Sequence, residues 1–571
     1  MKLVDALTLT LKDLGIEFVF GVSGANIEHF HDAIYRLGDG KLTAILAKSE
    51  YAAAFMADGL ARVHNTLGVC CATSGGGMTN LAVGIAESYA DGVPVLAIVG
   101  QIPTFLEGVG GFQDSSGKNG TVNALQFWNS ISKYTAIIHD PALFWGCFKT
   151  AIAQIFFNRF GPAVLLIPRD LFESEVPERP TDFSTSLPAY RKISAPEHKQ
   201  VTALLDAIYL AKQPLLIVGS GMRYTVSIND LKYLIDHCNI PVVTTFADVN
   251  AFAHDDPHYI GMIGIAGHPS VHDYIKNNVD LIIAIGEEFT SMVKSPIEAI
   301  LPTIKTICIG ADLSRAKSSI NINQVIEQDI DDFLSALVTE VQKRPKKANY
   351  FNVAKKRYKP FVNQSNSKKK SKEFLTSQAI NVLQDYLKYS KNIVFDAGNC
   401  VASAIHYLTF PKQAKTIISL GMGGMGYAIP AAIGAQLGSY ENEKSLVITG
   451  DGGFLIAGLE IQTAIQYQLP ILFIVFNNNM HGMCVTRQQR YFSNRITASC
   501  YKKVDVAKIA KGLGNKKQRW VACATDSAEL QDQLNDYYEN YSSITGVLEI
   551  KINPDEVPPF IPFLGENPLE M

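Results

Sequence analysis

The stretch from Ser445 to Met483, SLVITGDGGFLIAGLEIQTAIQYQLPILFIVFNNNMHGM, leaves the chain little choice of fold. Leu446, Val447 and Ile448 form a short apolar run that stops at Gly450-Asp451-Gly452-Gly453, and Ile471 to Phe476 form a second that stops at Asn477-Asn478-Asn479. Gly458 to Gln468, between them, has helical spacing. Two strands joined through a helix run parallel with a right-handed crossover. Asp451 and Asn478 are therefore expected at the carboxyl edges of neighbouring strands, where open α/β sheets bind ligands.

The side chains at that edge narrow the ligand. A carboxylate, an amide oxygen and the backbone carbonyl of Met480 make a set of hard oxygen donors, suited to an octahedral Mg²⁺ that keeps positions for phosphate oxygens and water. Gly450, Gly452 and Gly453 let the backbone approach a diphosphate closely. A Gly-Asp-Gly turn whose Asp is followed 27 residues later by the second Asn of an Asn pair resembles the signature of thiamine diphosphate (ThDP) enzymes. Met483, just past the Asn loop, is counted with the cofactor residues.

Composition fits such a small-molecule enzyme. A chain of 571 residues is too long for one core and suggests three or four units. A net charge of −3, with 18% charged and 47% apolar residues, offers no field for nucleic acid or an anionic membrane. The N-terminus, MKLVDALTLTLKDLGIEFVF, carries Asp5 and Asp13 within its apolar pattern, unlike a secretory signal. The nine cysteines include no CxxC pair, and most lie in apolar runs as reduced thiols would. A cytoplasmic location is expected.

Residues 1–170 alternate helix and strand as a doubly wound sheet does, with strands expected at 17–22, 43–47, 68–72 and 93–99. Glu50 stands at a strand-to-helix junction. Its surroundings, SEYAAAFMADGLAR and then CATSGGGMTN with Gly75, resemble the pyrimidine-binding domain of ThDP enzymes of the acetolactate (acetohydroxyacid) synthase type. The resemblance implies that Glu50 bonds the aminopyrimidine and drives the tautomer that removes the thiazolium C2 proton, a task for a buried carboxylate with a raised pKa. It continues through Gln101 to Thr104 and through Phe112-Gln113-Asp114. Phe112 and Gln113 match residues that line the reaction cavity, and Gln113 could donate to a ketone or enolate oxygen. Ser115 to Asn123 looks like an insertion relative to the synthases, with Lys118 a candidate carboxylate contact.

A Pro-rich linker covers 171–195, and a second α/β unit covers 196–335 with strands at 214–218, 241–245, 281–285 and 306–309. By resemblance this is the middle domain, which holds FAD in the anabolic synthases. Its Gly219-Ser220-Gly221 turn is a weak nucleotide signal. The segment matching the Arg- and Asp-rich flavin loop reads GEEFTSM (286–292), which weighs against FAD. A basic connector at 363–373 leads to the diphosphate-binding domain, 374–552. There a strand is expected at 393–395, ending at Asp396-Ala397-Gly398-Asn399, and another at 416–420, after which Gly421 to Gly426 matches a Gly-x-x-Met-Gly pattern. In the family that pattern puts a bulky wedge, here Met425, under the cofactor, while the carbonyl of Gly423 accepts from the pyrimidine amine. Residues 553–571 suit a C-terminal flap. The expected fold is thus three α/β domains, each a doubly wound parallel sheet. The resemblance implies that Glu50 and the metal turn, which come from different domains, meet across the interface of a homodimer, or of the dimers within a homotetramer.

ThDP chemistry decarboxylates a 2-oxo acid to an enamine. Protonation then gives an aldehyde, and attack on a second carbonyl makes a carbon–carbon bond. Decarboxylases of the family offer an adjacent His pair and a Glu six residues past the metal-binding Asn. This sequence has no adjacent His pair, and Cys484 stands at the latter position. An acetolactate synthase-like carboligase acting on pyruvate is therefore expected. The alternatives are an acyloin-forming carboligase with another acceptor, a 2-oxo acid decarboxylase, or a non-catalytic subunit, against which Glu50, Asp451, Asn478 and Met425 argue. Where the anabolic synthases carry an acceptor-selecting Trp, this chain has Arg487, whose fork binds carboxylates well. His481 either faces the substrate or is structural.

Overall fold

A computed structural model describes residues 1–191, 196–347, 374–440 and 442–560. The basic connector and the end of the expected flap, 561–571, lie outside the described residues.

Three six-stranded sheets follow one another along the chain. The first contains β1 (Phe18–Gly21), β2 (Thr43–Leu46), β3 (Gly68–Ala72), β4 (Val95–Gln101), β5 (Tyr134–Ile137) and β6 (Ala163–Pro168), in the order β2-β1-β3-β4-β6-β5. The second contains β7 (Pro214–Val218), β8 (Val242–Thr245), β9 (Tyr259–Ile263), β10 (Leu281–Ile285), β11 (Lys305–Gly310) and β12 (Gln324–Glu327), in the order β12-β11-β10-β7-β8-β9. The third contains β13 (Asn392–Phe395), β14 (Lys415–Ile418), β15 (Ser445–Gly450), β16 (Ile471–Asn477), β17 (Arg519–Ala524) and β18 (Thr545–Lys551), in the order β14-β13-β15-β16-β18-β17. Every pairing between these strands is parallel. The first and third sheets share one topology, whereas the second has the order of dinucleotide-binding folds. Among the described residues no helix is long and apolar enough to cross a membrane.

Two strands in each sheet go beyond those expected from sequence. A second difference bears on the site. The helix after β15 begins at Asp451 itself and runs to Ala457, followed by a 3₁₀ turn to Glu460 and a further helix, Ile461–Gln466. The glycine turn is thus the first turn of a helix, which puts Asp451 at a helix start.

The first and third sheets are bound together by two helices. Glu50–His64 is buried from Ala52 to Val63, and Ala428–Leu437 is buried from Ala428 to Gln436. Helices apolar all round belong inside a protein, and these two cross at small residues. A Cβ on Gly59 would overlap the Ala431 carbonyl, and one on Gly434 would overlap that of Met56. Phe55 and Tyr427 stack edge to face with centroids 5.1 Å apart beside the crossing. One apolar core therefore runs through both domains and fixes how their ligand edges sit.

Candidate active site

The chain leaves the third sheet for opposite sides at β13 and β15, and a cavity of about 270 Å³ opens there. Its wall includes Gly398, Asn399, Gly423, Met425 and the Gly450–Gly453 turn on one side. Asn478, Met480, His481, Met483 and Arg487 lie on the other. The helices Asn399–Tyr407 and Gly482–Tyr491 both start at it, so unpaired backbone amides and two positive dipole ends face the cavity. Among the described residues, Asn399 Oδ1 and His481 Nδ1 are buried without a hydrogen-bond partner, as polar groups awaiting a ligand would be.

Asp451 organises the loop opposite it. Its Oδ2 accepts from the amides of Asn478 (3.1 Å) and Asn479 (2.6 Å), and its Oδ1 from that of Gly452 (2.9 Å). Burial pushes this carboxyl up, against those bonds and the neighbouring Tyr501 hydroxyl, which pull it down. Asn479 takes a left-handed φ of 58°, and its side chain accepts from the Val504 amide at 2.8 Å. Met480 bridges to Cys500, and the His481 amide donates to Ser499 O at 2.8 Å. The loop is thus clamped on both faces. A carboxylate, an amide side chain and a carbonyl stand at one rigid turn, which fits a hard divalent cation.

The Gly421–Gly426 loop is pinned at its end by Asp396. Its carboxylate, buried and raised for that reason, accepts from the amides of Gly426 (2.9 Å) and Ala428 (3.3 Å). Met425, 39% exposed, projects between these anchors and the left-handed Gly423. Asp396 and Tyr501 were not singled out from sequence. Asp396 offered one usable signal, since it ends a strand as Asp451 does.

Glu50, Gly75, Phe112 and Gln113 gather elsewhere, at the carboxyl edge of the first sheet. Asn80 Nδ2 donates to Glu50 Oε2 at 2.7 Å, and Gly77 leaves room for the other oxygen, which a Cβ there would meet at 3.1 Å. Gly75, at φ 64°, packs on Gln113, itself left-handed at φ 65°. Phe112 is 86% exposed. The Ser115–Asn123 segment folds back through a Ser116–Asn123 bridge. Lys118, expected as a carboxylate contact, pairs instead with Glu107 at 2.6 Å, a carboxylate that also meets His139 at 2.9 Å. The turn that holds Glu50 is gripped from the third domain, where the buried Glu460 accepts the Lys48 amide at 3.0 Å and Ile456 O accepts the Tyr51 hydroxyl at 2.9 Å.

The matching crevice of the second sheet, between β7 and β10, does not fit a flavin diphosphate. The Gly221 amide donates to Gly286 O at 2.8 Å, and a Cβ on Gly219 or Gly221 would strike residues 286–287, so the two turns close on each other. Glu287, buried and pushed up to about 7, and Glu288, paired with Arg159 (2.8 Å) and Arg315 (2.9 Å), line what is left.

Fold and site together define a thiamine diphosphate enzyme. The family models match in sequence order: the N-terminal TPP (thiamine pyrophosphate, the same cofactor) binding domain over residues 1–120, the central domain over 201–337 and the C-terminal TPP binding domain over 396–545. A probable acetolactate synthase large subunit of Methanocaldococcus jannaschii is 30% identical over 573 aligned residues, covering 98% of this chain and 94% of the relative. The mitochondrial acetolactate synthase catalytic subunit of Saccharomyces cerevisiae is 27% identical, covering 96% and 80%. The large subunit of Lactococcus lactis is 28% identical, covering 86% and 83%. The chain belongs to the acetolactate synthase-like family of ThDP-dependent enzymes, transferases that form carbon–carbon bonds.

Proposed function

We propose that the protein condenses two 2-oxo acids, with pyruvate as donor, in a ThDP- and Mg²⁺-dependent reaction. One molecule loses CO₂, its acyl unit joins the carbonyl carbon of the second, and the new alkoxide takes up a proton. ThDP supplies the carbanion that carries the acyl unit. The chain's own residues do the rest. Asp451, Asn478 and the carbonyl of Met480 would hold the cation, and the amides of Gly453 and Asn399 would face the diphosphate, with Gly452 leaving room for its approach. Met425 and Gly423 set the ring geometry, with Gly398, Gly450 and Met483 completing the wall. Glu50, oriented by Asn80, moves the proton at the pyrimidine. Gln113 and Phe112 face the substrate.

The observation that carries carboligation is the cavity wall beside the Asn loop. Arg487 is half-buried there, 3.4 Å from Cys484 Sγ, and has no carboxylate partner among the described residues. A guanidinium so placed favours a carboxylate-bearing acceptor over an aldehyde. The acids on the same wall are engaged, Asp451 with its loop and Glu556 with Ser377 at 2.7 Å. Neither is free to protonate a product, which disfavours simple decarboxylation. His481 remains a second candidate for substrate contact.

The assembly in this reading is a dimer or tetramer. No residue of 1–170 lines the cavity, so Glu50 serves the cavity of a second copy. Exposed Val83, Met422, Leu455, Ile456 and Leu459 around the Gly421–Gly426 loop suit such an interface. The residues described at 553–560 support a flap, since Asn553, Pro554 and Glu556 reach the cavity. Nine free thiols suit a reducing compartment, the cytoplasm in this reading.

Incubation with ThDP, Mg²⁺ and pyruvate, followed by NMR of products with CO₂ release, tests the proposal. Acetolactate is expected. Acetaldehyde alone would mean a decarboxylase, and unused pyruvate with ThDP bound would mean another donor. Glu50→Gln is expected to abolish turnover while ThDP stays bound, and full activity in that variant would sink the proton-transfer role.

A further inference from the structure

The Gly421–Gly426 loop is held at both ends by buried carboxylates, and only one comes from its own domain. Asp396 holds the end, while Glu87, on the helix Gly76–Asp91 of the first domain, holds the start. Its two oxygens divide the work, Oε1 accepting from Gly421 N at 3.0 Å and Oε2 from Met422 N at 2.7 Å. Glu87 is 1% exposed, a costly place for a carboxylate unless its bonds matter.

The charges around it explain why it can sit there. Arg62, buried on the Glu50 helix, lies 3.6 Å from Glu87, 2.8 Å from Asp91 and 2.6 Å from Asp58. Asp58 is further satisfied by the Tyr427 hydroxyl (2.7 Å) and Ser88 Oγ (2.8 Å). From the middle domain, Arg223 acts on Asp91, and the buried Tyr224 hydroxyl lies near Arg62 and Asp58. One guanidinium at the centre thus faces three carboxylates. Burial, and next the charge of Asp91, lift Glu87 above the usual carboxylate range, while Arg62 helps to keep Asp91 below it. Glu87, unlike Asp91, is poised to take up a proton, and protonation turns one of its two accepting oxygens into an O–H that is a much poorer acceptor for a backbone amide.

We propose that Glu87 is a positioning residue for the cofactor: through the amides of Gly421 and Met422 it sets the loop that carries Gly423 and Met425, so ThDP affinity depends on its carboxylate. This rests on the reading that Met425 lies under the cofactor. No sequence motif points to Glu87, because its partners lie in another domain, more than 300 residues along the chain, at separations of 334 and 335.

The test measures the dissociation constant of ThDP for the full-length protein at saturating Mg²⁺ by calorimetry between pH 6 and pH 8.5, with a thermal melt of each sample. In the unsubstituted protein, affinity is expected to fall toward the acid end. Glu87→Gln should bind about tenfold more weakly at pH 8 and lose that acid limb. Ser88→Ala, which removes a bond to Asp58 from the same cluster without touching the loop, controls for general loosening and should keep both affinity and limb. Unchanged affinity and pH profile in Glu87→Gln would overturn the proposal, and so would an equal loss in Ser88→Ala. Met425→Ala separates the two layers: if it leaves ThDP affinity and turnover untouched, the reading of the loop itself fails, whatever Glu87→Gln does.

Discussion

Asp451 shows how much one residue position can carry. Three backbone amides converge on it and the Tyr501 hydroxyl stands beside it, so this one carboxylate holds in place the loop that carries Asn478 and Met480. Asp451→Asn places an NH₂ where an acceptor is required. It should cost about 1–3 kcal/mol of loop stability and remove most of the Mg²⁺ dependence of ThDP binding. Titrating ThDP with and without Mg²⁺ checks this, and an unaltered metal dependence would rule out the proposed cation site. Asp451 and Asn478 were legible because strand ends in a parallel sheet are predictable and the spacing between them matches the ThDP signature. Glu87, Glu460 and Tyr501 were not, because each acts on backbone amides or on a side chain in a different segment, and no local pattern records such a contact. The partner of Lys118, Glu107, is hidden for the same reason, since the two meet only once the loop is folded back.

The elements that came through the sequence most clearly are the central strands, which are continuous apolar runs ended by glycine, Asn or Asp. Those that did not are mostly the outer ones. Strand β12, QVIE, is half exposed at an edge, and β5 is partly exposed along its length. Strand β9 contains Gly261 at φ 128° and a register shift against β8. In β18 a buried Glu549 interrupts the apolar pattern, accepted there because Asn477 Nδ2 (2.6 Å) and Ala507 N (2.9 Å) both bond it. The helix pair that joins the outer domains was readable as two runs of small residues but not as a contact. Its closeness depends on two missing Cβ atoms. Gly59→Ala or Gly434→Ala should force the helices apart and cost about 1–3 kcal/mol, seen as a lower denaturant midpoint. The Glu50 turn should loosen with it, because Glu460 and Ile456 would no longer be held opposite Lys48 and Tyr51. An unchanged midpoint in both variants would show that the crossing tolerates a wider spacing.

The three sheets act as one molecule only if the middle domain stays docked, and buried histidines stand at its junction with the third beside the bonds of Asn250 to the carbonyls of Pro411 and Ala414. His268 Nδ1 accepts from Met262 N at 2.9 Å, and its Nε2 lies 3.1 Å from the carbonyl of His406 in the third domain. His406 Nδ1 in turn lies 2.9 Å from Ala266 O, and His254 Nδ1 accepts from Phe410 N at 3.4 Å. Nearby, His272 Nε2 accepts from Gly264 N at 3.2 Å. Burial holds His254 down at about 4 and His268 and His272 at about 3. A ring nitrogen that accepts an amide proton has to lose that bond on protonation. With folded pKa values depressed, the stability these groups provide is complete above the unfolded value near 6.5 and is lost as pH falls toward the folded values. At pH 5 each contributes a loss on the order of 2 kcal/mol relative to pH 8, and the loss falls on the middle domain and its contact with the third. Acidification from pH 8 to pH 5 should therefore lower the melting temperature and release amide protection first around 246–272 and 400–410, while the crossing of the outer domains stays protected. A melting temperature that is flat across this range, or early exchange in the Glu50 helix instead, would mean that the histidine junction is not the acid-sensitive part of the assembly.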